Sequence, residues 1–104
     1  MKTNLNFSLK PFRKALGLAQ SEMANRMGLS LRPYQQLELS PDKVRRRHIR
    51  LAESVALDRA IEEEDPKLAP ANVQRKAIKL ARLVIGKDLQ QNALKHADIL
   101  LDQG

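Results

Sequence analysis

Residues 17–38 read GLAQSEMANRMGLSLRPYQQLE, and Gly28 cuts what would be one helical pattern into two. Before it, Met23, Ala24 and Met27 recur at helical spacing on one face of a run from Gln20 to Met27. After it, Ser30 stands at a cap position, and a second run from Leu31 to about Leu39 turns Tyr34 and Leu37 inward. Gly28 permits the positive φ of a sharp turn. Leu29 seals the corner, and small Ala24 lets the two helices cross closely. The pattern predicts two short helices set back to back.

The flanking segments are helical too. Asn6 or Ser8 caps a first helix running to about Leu16, with Pro11 tolerated in its opening turn. Leu9, Phe12 and Leu16 form its apolar face, and Gly17 ends it. Ser40-Pro41-Asp42 makes a turn or a new cap, because proline cannot continue the preceding hydrogen-bond ladder. A fourth helix is expected from near Val44 to about Glu63, with Ile49, Ala52, Val55, Ala56 and either Ala60 or Ile61 inward. Glu62-Glu63-Glu64-Asp65 puts anions where the helix dipole prefers cations. That run predicts a terminus fraying into the loop 65–70, its charges solvated.

Residues 71–101 are helical again, in one of two arrangements. Asp88 as a cap with Gln91 three residues on would split them into a hairpin at Gly86. Alternatively Ile78, Ala81, Ile85, Leu89, Ala93, Ala97 and Leu100 keep one phase through Gly86, at a cost of about 1 kcal/mol for the interior glycine. Tryptophan is absent and tyrosine plus phenylalanine number three, so Leu, Ala, Ile and Met must do the packing. The expected fold is all-α: a compact bundle of four to five helices over residues 1–65, with a C-terminal helical extension over 66–104.

Charge narrows the partners. Residues 1–50 carry eleven basic and three acidic side chains, a net of +8, whereas residues 51–104 carry eight and nine, a net of −1. A field so one-sided points to a polyanion. No apolar run approaches the roughly 18 residues of a membrane span, and the N-terminus lacks an apolar segment of signal-peptide length. Without cysteine there is no disulfide or thiolate chemistry, and a cytoplasmic setting is expected. His48 and His96 lie far apart without ligand-spaced companions, so no metal or other cofactor is expected. Asp98 and Asp102 share a helix face with nothing nucleophilic beside them. No pattern of catalytic residues marks an enzyme.

Two short helices at a sharp turn suit B-DNA, the second lying in the major groove while the first bridges the backbone. With Tyr34 and Leu37 inward, the opposite face offers Arg32, Gln35 and Gln36. Arginine pairs with guanine and glutamine with adenine in two-point contacts, and Leu31 can touch a thymine methyl. Lys43, Arg45, Arg46, Arg47 and Arg50 follow at the start of the fourth helix. Cations there oppose the helix dipole, and a phosphate backbone supplies the compensating charge. Glu38 is expected to be structural, pairing with an arginine, and Tyr34 to be core.

The run L-G-L-x-Q-x-x-x-A-x-x-x-G-x-S, from Leu16 to Ser30, followed by Gln36-Leu37-Glu38, resembles the phage repressor/Cro-like helix-turn-helix family. The resemblance covers about residues 9–63. It implies a lambda-repressor-like bundle that binds DNA as a dimer and represses transcription. By position it implies a phosphate contact from Gln20 and base contacts from Leu31, Arg32, Gln35 and Gln36; Ser30, at the cap of the third helix, is a further expected phosphate contact. The chain departs from the pattern at Ala19, where a serine or threonine cap is common, at Pro33 in the third helix, and at Leu39-Ser40 after it.

The apolar stripe of 71–101 exceeds what the N-terminal bundle can cover. It is the expected homodimer surface, through Leu80, Val84, Ile85, Leu89, Ala93 and Leu100. An antitoxin whose C-terminal helices bind a toxin is the alternative, and a protein-interaction adaptor the next.

Overall fold

Gly17 and Gly28 both adopt the left-handed region, at φ +72° and +76°, and each ends a helix. In the computed structural model, which describes residues 7–91 with side chains through Asp88, the element order is α1 Leu9–Ala15, α2 Gln20–Met27, α3 Leu31–Leu39, α4 Arg46–Glu62 and α5 Ala71–Gln91. Short 3₁₀ turns at Pro41–Lys43 and Pro66–Leu68 flank α4. The described residues are all helix, turn and loop, without a strand.

The two glycine stops share one geometry. Gly28 N–H donates to the Asn25 carbonyl at 3.0 Å and Leu29 N–H to that of Ala24 at 2.8 Å; Gly17 and Leu18 repeat this with Lys14 and Arg13. Each glycine is followed by a leucine that packs into or against the core, so the stop also fixes the path into the next helix. Ala19 has no side-chain acceptor to cap α2. The Glu22 carboxylate compensates by accepting the Ala19 N–H at 2.9 Å. Ser30 occupies the cap position of α3, but its hydroxyl makes no capping hydrogen bond.

Tyr34, Met23, Ala24 and Ala52 are fully enclosed where α2, α3 and α4 meet, with Leu9 of α1 and Leu16 just after it closing the cluster. Phe12 is only half-buried; the innermost position of α1 beside Leu9 and Leu16 is Arg13. Helix α4 begins two residues later than expected. Val44 is buried in extended backbone at φ −70°, ψ 127°, so its apolar side chain serves the core before the helix starts. Farther along, Ala60 is buried and Ile61 is 67% exposed, which settles the inward stripe.

The acidic end of α4 is exposed to solvent, as expected, but it does not fray. Arg26 grips Glu62 with two hydrogen bonds of 2.9 Å, and Arg59 reaches Glu63 at 3.0 Å. These arginines bring the cations that a helix C-terminus favours. Glu64 then takes φ +52° and Asp65 accepts the Lys67 N–H, ending the helix in an ordered turn.

The chain divides into two units, Met1–Pro70 and Ala71–Gly104. The division falls five residues beyond the expected one, because the Pro66–Leu68 turn packs on α4 and Ala69 is buried. Within the second unit α5 runs unbroken through Gly86 to Gln91, so the hairpin at Gly86 does not form. No described helix is long and apolar enough to cross a membrane.

Candidate nucleic-acid interface

The outer face of α3 is assembled by what its inner face buries. Tyr34 is fully enclosed and Leu37 is 8% exposed, which turns Arg32 and Gln36 out to solvent and leaves Gln35 half-buried between them. Leu31, at the tip, is 42% exposed. With Lys10 of α1, Gln20 of α2 and Leu39, the side chains of Arg32, Gln35 and Gln36 line an open concavity of about 330 Å³ whose wall includes Glu38. The structure therefore gathers Gln20, Arg32, Gln35 and Gln36, four of the expected contact residues, at one place. Lys10 joins them; nothing in the local pattern distinguishes it from other surface lysines.

Beneath this concavity lies a polar network. Glu38 accepts from Arg13 Nε at 2.7 Å, Arg13 Nη2 at 3.2 Å, Gln20 Nε2 at 2.8 Å and the Tyr34 hydroxyl. Arg13 Nη1 also donates to the Leu18 carbonyl at 3.0 Å, tying the network to the turn between α1 and α2. Burial by itself would raise the Glu38 pKa, but the donors from Arg13, Tyr34 and Gln20 outweigh it and hold the carboxyl at about 2. Burial, with the Glu38 carboxylate beside it, pushes the Tyr34 phenol well above its usual range. Glu38 is thus an ionised structural anchor, as its expected role requires. Arg13 as its partner was visible only as a charge at an inward phase, four residues after Leu9 and three before Leu16.

Gln20 is held on both sides. Its Nε2 donates to Glu38, and its Oε1 accepts from Gln35 Nε2 at 3.0 Å. One N–H of Gln20 remains for a further acceptor. Ser30, exposed and with no capping bond of its own, leaves its hydroxyl available.

The second group of expected contacts is separate in sequence and placed on the 3₁₀ turn and the start of α4. Lys43, Arg45, Arg46, Arg47 and Arg50 are all exposed. None of them takes part in the salt bridges that Arg13, Arg26 and Arg59 make among the described residues. Arg45 Nη1 donates to the Asp42 carbonyl at 2.8 Å. His48, buried at 8% exposure, fixes the helix start: its Nδ1 accepts the Arg45 N–H at 2.9 Å. Burial lowers the His48 pKa, and the cations of Arg47 and Arg45 lower it further, which keeps the ring neutral and able to accept.

On α5, Leu80, Val84 and Ile85 are exposed, as are Ile78 and Leu83. Leu89 is helical, with its side chain outside the described set; Ala93 and Leu100 lie outside the described residues. Models of known protein families, curated proteins and solved structures yielded no match to this chain.

Proposed function

We propose that this chain is a sequence-specific double-stranded DNA-binding regulator of transcription, a repressor of the phage repressor/Cro-like kind that acts in the cytoplasm as a homodimer on a two-fold operator. The observation that carries the reading is the outer face of α3: exposed Arg32 and Gln36 and half-buried Gln35 project from a helix whose opposite side is locked in the core. Such a face, on a helix of nine residues, fits the width of the B-DNA major groove. Arg32 pairs with a guanine, Gln35 and Gln36 with adenines, and Leu31 packs on a thymine methyl. Gln20, Ser30, Lys43, Arg45, Arg46, Arg47 and Arg50 meet phosphates and set the register.

The exposed apolar residues of α5 supply the dimer contact, with Leu80, Val84 and Ile85 at its centre. Leaving five large apolar side chains in water on one helix is costly, and pairing two copies removes them from it. Light scattering of the full chain carrying Leu80→Glu and Val84→Glu should report a monomer. A dimer surviving both changes contradicts this assignment.

Selection of bound sites from random duplex tests the whole reading. The expected product is a two-fold sequence with half-sites about 34 Å apart on one face of the helix. Recovery of unrelated sequences at equal affinity contradicts it.

A further inference from the structure

We infer that Glu38, whose side chain is only 3% exposed, dictates which end of the Gln35 amide faces the base edges, acting through Gln20. This rests on the reading of α3 as the base-contacting helix and adds to it a positioning residue and a base preference.

The inference follows from donor and acceptor counting along one chain of hydrogen bonds. An ionised carboxylate only accepts, and each group on Glu38 is a donor. Turning the Gln20 amide round would set its oxygen against a carboxylate oxygen at 2.8 Å, so Nε2 must point inward and Oε1 outward. That outward oxygen requires a donor. Gln35 Nε2 supplies it at 3.0 Å, and a reversed Gln35 would again place oxygen on oxygen. The polarity of one buried anion is thereby passed across two amides to the surface.

Gln35 is left with Oε1 and one N–H for a ligand, in a fixed order. Adenine presents a complementary order in the major groove, an N6–H donor beside the N7 acceptor, whereas a thymine in its place puts the O4 acceptor where that donor stood. In one docked pose, an amide free to turn end for end loses that discrimination. The anchor itself is immobilised, because Arg13 holds Glu38 at two points and is tied to the Leu18 carbonyl.

The test compares the full-length chain with Glu38→Gln, Gln35→Ala and the double variant on duplexes varied one base pair at a time around the selected site. Glu38→Gln keeps the shape of the side chain but lets it donate, which releases the order of both amides. Its preference for adenine over thymine at one position should fall about tenfold, as should that of Gln35→Ala. The double variant should lose no more than either alone. If Glu38→Gln fails to fold, Gln20→Met cuts the same relay while leaving the Arg13–Glu38 pair intact, and the same loss is expected. A variant that weakens all duplexes equally and keeps the adenine preference overturns the relay, leaving Glu38 a structural residue. A wild-type chain without duplex specificity overturns the function proposed above, and the relay with it.

Discussion

Arg13 on α1 and Glu38 on α3 meet across 25 residues of chain in a two-point ion pair, Nε to Oε2 at 2.7 Å and Nη2 to Oε1 at 3.2 Å. Their side chains are 10% and 3% exposed, so deleting one charge strands the other away from water. Arg13→Leu is expected to cost about 3 kcal/mol in urea denaturation. A loss below about 0.5 kcal/mol, the scale of a surface pair, contradicts the assignment.

Acid should expose the same anchor. The Glu38 carboxyl sits at about 2, against an ordinary value of 4.5, because Arg13, Tyr34 and Gln20 donate to it more than burial penalises it. Its contribution is therefore complete above the ordinary value and is lost as pH falls through the folded one. Thermal melts between about pH 5 and pH 2 should show stability declining in the wild type, and Glu38→Gln should flatten that decline.

His48 titrates in a different window. Its pKa is lowered from 6.5 by burial and by Arg47 and Arg45, so the unfolded chain takes up the proton first. Stability is then fully present above pH 6.5 and falls as the pH drops below it. His48→Gln supplies a side-chain oxygen to the Arg45 N–H without titrating, as glutamine does in a capping box. Melts of the two proteins should diverge on acidification through this range, with the variant the flatter.

The two glycines with open space around them should respond oppositely to alanine. A Cβ on Gly28 or on Gly86 meets nothing within 4 Å, so sterics with neighbours do not decide either case. Gly28 has φ +76°, and Gly28→Ala should destabilise by about 1 kcal/mol. Gly86 lies inside α5, and Gly86→Ala should raise helix stability by about 1 kcal/mol. Circular dichroism and denaturation of both variants check the signs.

The bounds of α2 and α3 were legible in the sequence because their stops are local: Gly28 must turn, and Ser30 and Pro41 punctuate. The start of α4 was not, since an apolar residue such as Val44 satisfies the core equally well from extended backbone. The pairing of Glu62 was not legible either, because Arg26 lies 36 residues away, beyond any local pattern. At the candidate site, Arg32 and Gln36 followed from helical phase alone. The attachment of Gln20 to Glu38 did not, because it joins the start of one helix to the end of another. Continuity of α5 through Gly86 turned on about 1 kcal/mol, a margin that periodicity alone does not resolve.

Arg32 and Arg46 divide the proposed interface into a reading part and a holding part. Binding of wild type, Arg32→Ala and Arg46→Ala to the selected duplex and to random duplex, titrated with salt, measures both at once. Arg32→Ala should lose about 1–3 kcal/mol of discrimination at one base pair. Arg46→Ala should weaken both duplexes alike and reduce the log–log salt slope by about one unit. An Arg32→Ala protein that still prefers its site over random duplex by the wild-type margin contradicts the placement of α3 against the bases.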